Sequence, residues 1–278
     1  MGITTLHGAN SVNVGKKFGF KYATADYKEI INDKNINTIF ILTRHNLHAD
    51  LVVEGLEKDK NVYVEKPLAL NMEEIEKIKK SLSKSKGRLM VGFNRRFSPH
   101  SIKLKDFIGK EHGPIIMNFR VNAGQLPADH WLSDPDIGGG RIIGEGCHFI
   151  DFLRFLSDSC IKNLTAKSNF EKDNKVIEIE FTDGSIGTIL YATIGDRTFP
   201  KERVEVFVDG KVGIIDDFRK TILSVNGKKA YFKTKTQDKG HTNEINLFIE
   251  SVVQGTKTPI PPGELIEVSE WTIKADRL

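Results

Sequence analysis

The sequence predicts an α/β half followed by an α+β half: a truncated Rossmann-type parallel-sheet domain, then a mostly antiparallel open-sheet domain. Three observations predict it. Over the first hundred residues, short β-rich runs alternate with helical patterns, as βαβ units do. From about residue 114 onward, extended segments crowd together with few helices between them. "TDGS" (182–185) and "NGKK" (226–229) are Asp-Gly and Asn-Gly turns of the kind that join antiparallel neighbours.

In order, "ITTLHG" is a short strand candidate ending at Gly8. "NSVNVGKKFGF" follows as a helix, with Asn10 or Ser11 as its cap. "DYKEIINDKN" is a short amphipathic helix closed by a polar turn. "NTIFILT" (37–43) is nearly all apolar, as expected of a central parallel strand buried on both faces. "LHADLVVEGLEKDK" reads as a helix and "NVYVEKP" as the next buried strand. "NMEEIEKIKKSLSKSK" is a helix capped by Asn71, with carboxylates in its first turn where the helix dipole favours them. "RLMVGF" is one more strand.

The pattern changes near Phe97, which divides the chain into 1–97 and 98–278. "IIMNFRVNAG", "NLTAKSNF", "KVIEIEF", "SIGTILYATI", "RVEVFVDG", "KVGIIDD" and "KTILSV" are extended, and helices are expected at about 147–157, 241–254 and 263–276. No Pro/Ser-rich linker separates the halves, so they should pack closely. There are no repeats.

Composition narrows the function classes. Hydrophobic residues make up 39% and charged residues 28%, which is globular rather than disordered. The net charge of +4 is spread over many Lys, Glu and Asp residues, with no basic arm, so nucleic acid is not an expected partner. No apolar stretch approaches the ~20 residues that span a bilayer. "MGITTL" loosely fits an N-myristoylation pattern but reads better as a strand. The two cysteines, Cys147 and Cys160, have no metal-ligand spacing, no metal is expected, and a reducing cytoplasm fits.

In open parallel sheets, ligands bind where the strands run out at their carboxyl ends. That rule singles out Thr43 to His48, Glu65-Lys66-Pro67, and Gly92 to Phe97. A lysine at such a rim can hold a substrate hydroxyl or pass a proton. Pro67 restricts Lys66 to extended conformations, and its peptide bond could be cis or trans. Taken alone, Glu65 and Lys66 also fit an ordinary solvated strand end. His148 lies at the start of an apolar helix, three residues before Asp151 and on the same face. By itself it fits a satisfied core histidine equally well.

These segments resemble the Gfo/Idh/MocA family of nicotinamide-dependent oxidoreductases. The resemblance rests on Thr43-Arg44-His45-Asn46-Leu47-His48, Glu65-Lys66-Pro67, "GFNRRFSP" (92–99) and "GGGRIIGEGCHFIDFLRFL" (138–156), in that order over the whole chain. It implies hydride transfer, with NAD or NADP, to or from a hydroxyl-bearing carbon of a sugar or polyol. Lys66 and His148 would be the catalytic pair. Thr43, Asn46, His48, Glu65, Lys66 and Asn94 would line the cofactor. Arg96, Trp131, Glu145 and His148 would meet the substrate. A homodimer or homotetramer through the second-domain sheet is implied as well.

The chain departs from the family in two places. Gly144 stands where the family often has an Asp, with Glu145 beside it; this and "VNAGQLPADHWLSDPD" (121–136) look most like the C-terminal half of two-part proteins that begin with an alcohol dehydrogenase-like half. Trp131, with Asp129 and His130, would then lie in a loop over the substrate. The second departure is that no G-x-G-x-x-G opens the first unit, and residue 3 aligns with the family's second strand. A first strand, phosphate loop and helix of about 25 to 30 residues would be missing. Each charge-assisted hydrogen bond to phosphate is worth ~1.5–3 kcal/mol, so poor or no cofactor binding is expected. The chain would be an oxidoreductase, the remnant of one, or a non-catalytic binding or assembly module.

Overall fold

The computed structural model describes residues 1–5, 8–127, 129–169 and 173–278, with only the main chain of 8–10. The first half holds β1 (Gly2–Thr4), α1 (Gly8–Phe18), β2 (Tyr22–Thr24), α2 (Tyr27–Asn32), β3 (Thr38–Ile41), α3 (His48–Glu57), β4 (Asn61–Val64), α4 (Met72–Leu82) and β5 (Leu89–Val91). All its strand pairs are parallel, but they form two sheets: β1 with β2, and β3-β4-β5. β4 is enclosed along its length because it has a strand on each side. Asn71 caps α4 as expected, accepting from Glu74 N–H at 3.0 Å, while the Glu74 carboxylate accepts from Leu70 N–H at 2.7 Å.

The second half contains α5 (Pro99–Ile108), β6 (Ile116–Asn122), α6 (Cys147–Ser157), β7 (Ile161–Ser168), β8 (Lys175–Phe181), β9 (Ile186–Ala192), β10 (Glu202–Val208), β11 (Lys211–Asp216), β12 (Lys220–Val225), β13 (Lys228–Lys233), α7 (His241–Gln254) and α8 (Pro262–Arg277). The eight strands form one sheet in the order β13-β12-β11-β10-β6-β9-β8-β7. Every pair is antiparallel except β6 with β9. One face is covered by α5 and α6, with Phe119 packed edge-on to Phe149 at 4.8 Å. Helix α8 returns to α4 and β5, so one apolar core runs from Ile39 to Ala275 through both halves.

Two expectations need correction, and two further features lie outside the local patterns. The strand at 37–43 is not central: among the described residues β3 pairs only with β4, and its Phe40 is 41% exposed on the open side. Ser11 is not the cap of α1 but lies inside that helix, where its hydroxyl accepts from Thr5 N–H at 2.8 Å; the Asn10 side chain lies outside the described residues, as do Leu6 and His7 of the first strand candidate, and Gly8 starts the helix. Helix α5 went unread because its apolar face is narrow, although Ser98 caps it and Pro99 opens it. The glycine-rich segment before α6 ends in a π-helical turn, Ile142–Gly146. Among the described residues no helix is long and apolar enough to cross a membrane.

Candidate active site

The three parallel strands β3, β4 and β5 end on one rim, and each end is shaped by its own residues. After β3, a 3-10 turn at His45–Leu47 leads into α3. After β4 come Glu65 and Lys66, and the Lys66–Pro67 peptide is cis. After β5, Gly92 and Phe93 precede a 3-10 turn at Asn94–Phe97.

Lys66 reaches across to the second half. Its Nζ donates to the carbonyl oxygen of Gly144 at 2.7 Å. A π turn moves carbonyls off the usual i→i−4 ladder and leaves oxygens for outside donors. Gly144 lies in that turn, which runs straight into α6 and His148. No Asp is available at 144, so a main-chain oxygen takes the ammonium instead. A Cβ at Gly144 would sit 2.5 Å from Leu132 Cδ1 and 3.0 Å from His45 Cε1, so a side chain there would push the Leu132 side chain aside.

His148 is 7% exposed, and its Nδ1 is enclosed without a hydrogen-bond partner. Burial holds its pKa well below the usual histidine value, and the charges of Arg95, Lys66, Lys239 and His241 push the same way. The imidazole is therefore neutral at pH 7, beside a cluster of cations. Asp151 shares its helix face as expected but does not hold it: the Asp151 carboxylate accepts from Nε and Nη2 of Arg96.

Arg96 is buried, and Nη1 donates to Glu264 at 3.0 Å. Each of its three nitrogens thus donates to a carboxylate of the protein itself. Asn94 is likewise buried, its amide donating to Lys239 O at 2.8 Å. His48 is fully enclosed, with Nδ1 2.7 Å from Pro67 O and Nε2 3.2 Å from Thr43 O. Both ring nitrogens thus face main-chain oxygens of the segments that follow β3 and β4.

The Thr43 hydroxyl donates to Arg44 O at 3.3 Å, and Asn46 N–H donates to Ile137 O at 3.1 Å. That second bond and the His45 Nδ1–H bond to Gly138 O, 2.8 Å, fasten the segment after Trp131–Ser133 over the β3 end. Trp131 lies edge-on to His45 at 4.8 Å, with the Arg44 guanidinium 5.7 Å from its ring. Burial first, then the Lys66 and His48 charges, lower His45 to about 4 against the pull of the Gly138 bond.

Glu145 takes hydrogen bonds from Tyr191, Lys201 and Arg141. Burial raises its carboxyl, but these three partners outweigh burial and hold it below the usual range. A second ion cluster lies next to it: Arg95 donates to Glu202 at 2.7 and 2.9 Å, and Lys239 donates to the same carboxylate at 2.6 Å. Burial raises Glu202, and these cations still bring it to about 2.

His45, Arg141, Tyr191, Lys201, Glu202 and Lys239 received no role of their own from the sequence. His45 sits inside the Thr43–His48 motif and could have been named from it. Arg141 likewise lies inside the 138–156 segment, whereas Tyr191, Lys201 and Glu202 come from β9, β10 and the loop between them and Lys239 from the segment before α7, where no local pattern points to the site.

Residues 1–93 match the Gfo/Idh/MocA profile, described as an oxidoreductase family with an NAD-binding Rossmann fold. Similar proteins include scyllo-inositol 2-dehydrogenase (NAD(+)) of Bacillus subtilis, 27% identical over 93% of this chain and 82% of that one. Myo-inositol 2-dehydrogenase of Thermotoga maritima is 26% identical over 90% of this chain and 79% of that one. Among solved structures, levoglucosan dehydrogenase in complex with NADH and levoglucosan superimposes with a TM-score of 0.87 over 99% of this chain and 87% of that chain; at 18% identity this likeness shows the fold.

Proposed function

We propose that this chain, a Gfo/Idh/MocA-type NAD(P)-dependent oxidoreductase, moves a hydride to or from a sugar- or polyol-like hydroxyl, with Lys66 and His148 as its proton-handling pair. The observation that carries the proposal is the Lys66–Gly144 bond, which brings the ammonium of one half to the root of the His148 helix in the other. The polyol relatives point to the same substrate class.

The residues at the strand ends fit the nicotinamide half of the cofactor: Thr43 and Glu65 border the rim, Lys66 supplies a cation, and the enclosed Nδ1 of His148 leaves Nε2 to face a ligand. The bound nicotinamide supplies or takes up the hydride. In alcohol oxidation, the neutral imidazole of His148 takes the hydroxyl proton at Nε2. The Lys66 ammonium orients the oxygen and steadies its charge. Glu145, held ionised by Lys201, Tyr191 and Arg141, accepts from a neighbouring substrate hydroxyl, and Trp131 covers the opening.

No G-x-G-x-x-G is present, so the grip on the pyrophosphate is weak in this reading. The same feature favours a second reading, a fold-retaining binding or assembly module without turnover. Titration of NAD+ and NADP+, followed by reduced-nicotinamide absorbance with myo-inositol, scyllo-inositol and levoglucosan, separates the two. Saturable turnover supports the oxidoreductase; no cofactor binding at millimolar concentration supports the module.

The outer face of the large sheet favours self-association. Phe207, Ile116 and Ile186 stand side by side in register on β10, β6 and β9 and are 45%, 61% and 49% exposed. A second copy packed face to face covers this apolar row.

A further inference from the structure

We propose that the substrate is a polyhydroxy acid, a sugar-like molecule with a carboxylate near the hydroxyl that reacts, and that Lys239 is the residue that selects this charge. The inference rests on the hydride-transfer reading and narrows its substrate class.

Lys66, Arg95, Lys239 and His148 meet at the rim where β4 and β5 end. The two strands stay paired up to Gly92 N–H, which donates to Val64 O at 2.8 Å. Lys66 lies two residues past Val64, and Asn94 two past Gly92. The ring of Phe93, between Gly92 and Asn94, stands edge-on to His148 at 6.4 Å. The Asn94 amide donates to Lys239 O at 2.8 Å, which fastens Lys239 to the same rim. Gly240 allows the close fit: a Cβ there would sit 2.4 Å from Ser98 N and 2.5 Å from Asn94 O. Arg95, next to Asn94, lays its guanidinium 5.1 Å from the ring of Phe149, the neighbour of His148.

Counting charge shows what the cluster lacks. Arg95 and Lys239 share one carboxylate, that of Glu202, at 2.6 to 2.9 Å. Burial raises the Glu202 carboxyl and the two cations still hold it at about 2, so it stays a single negative charge against two positive ones. Lys66 donates to a main-chain oxygen, Gly144 O, which brings no charge. Three cations thus stand against one anion beside a neutral imidazole. After burial, the groups that act most on His148 are Arg95, Lys66, Lys239 and His241, and none is a carboxylate. The local surplus of carboxylate, Asp151 and Glu264, is taken up by Arg96 and is not among them.

The two surplus charges answer two different groups. An alcohol oxygen gains negative charge as its proton leaves, and Lys66 offsets that charge. One positive charge remains. A carboxylate neutralises one, whereas a phosphate monoester brings about two. Arg95 is buried, with both Nε and Nη2 on Glu202. The Lys239 side chain is 17% exposed and donates once, to Glu202. An ammonium has three N–H groups, so two are left for a second carboxylate.

The test compares pairs that differ only in that group: D-glucuronate with D-glucose, D-galacturonate with D-galactose, and D-gluconate with D-glucitol. Titration calorimetry on the full chain, alone and with NAD+ or NADP+ present, gives the affinities. Each acid that binds should do so about ten- to a hundredfold more tightly than its neutral twin, the worth of one charge-assisted hydrogen bond. Lys239→Met should erase that ratio and leave the neutral twins unchanged, and Lys239→Arg should keep it. Added sodium chloride should weaken the acids and spare their twins, a readout that needs no variant should Lys239→Met fail to fold. Equal affinity within each pair overturns the proposal. So does an acid preference that survives Lys239→Met, tighter binding of glucose 6-phosphate than of glucuronate, or no binding of any of the acids. An acid that binds selectively and is never oxidised sinks the hydride reading alone. Neutral polyols oxidised with no preference for acids sink this proposal alone.

Discussion

The Lys66 Nζ donates to Gly144 O at 2.7 Å, so the end of β4 is tied to the π turn from which the His148 helix starts. One hydrogen bond thus couples the two candidate proton carriers across the two halves of the chain.

Replacing Lys66 by Met removes the cation while keeping the stem. We expect kcat to fall by about 10²- to 10⁴-fold, the usual range for a lost acid–base group. The thermal midpoint should change little, because the side chain is only partly buried. Steady-state rates with an inositol substrate check this; a variant that keeps most of its kcat removes Lys66 from the chemistry.

Gly144→Asp introduces the residue type that the resemblance leads one to expect at this position but should not help. Its Cβ would meet Leu132 Cδ1 at 2.5 Å and His45 Cε1 at 3.0 Å. Overpacking of this kind costs typically about 1–3 kcal/mol. Urea unfolding should show a loss of that size, and kcat/KM should drop with it as the Trp131 segment is displaced. Higher activity in this variant would mean that the main-chain acceptor is a poor substitute for the carboxylate.

The clamp made by His45 should weaken in acid. Its pKa in the folded protein is about 4, below the ordinary value of 6.5. In that window the folded state binds fewer protons than the unfolded chain, so stability is full above about 6.5 and declines as the pH falls towards about 4. The loss should be about 1–3 kcal/mol, since a tenfold change in proton affinity is worth about 1.4 kcal/mol before solvent screening is allowed for. Unfolding midpoints at several pH values should slope less in His45→Asn, whose amide can replace the Nδ1–H donor to Gly138.

Arg96 holds the two halves through Asp151 and Glu264, and the arginine side chain is 6% exposed. Arg96→Met leaves a buried Asp151 carboxylate without its counter-ion, which costs about 3–5 kcal/mol. Urea unfolding measures it. A loss under about 1 kcal/mol, the size of a surface pair, would show that water reaches this cluster.

Ile116→Glu places a charge in the middle of the exposed row Phe207–Ile116–Ile186. Analytical ultracentrifugation should show the wild type associated and the variant monomeric, with an unchanged circular dichroism spectrum. Identical sedimentation of the two proteins, both monomeric, removes the sheet face as an interface.

The sequence by itself determined the local periods and the residues at the strand ends. Alternating apolar and polar residues set β8, unbroken apolar residues set β4, and Asn71 with Glu74 set the start of α4. Lys66 and His148 could be named as candidates because each stands in a short motif whose neighbours constrain it. Only the tertiary structure decided which groups these residues face. Arg96 and His48 carry site-like chemistry in the motifs, yet packing sends the first to Asp151 and Glu264 and the second to Pro67 and Thr43. Glu145 meets Lys201 across 56 residues of chain, and Glu244 meets Tyr63 across 181. Such partners leave no trace in the local pattern, because burial and charge pairing depend on distances that exist only after the sheets and helices have packed.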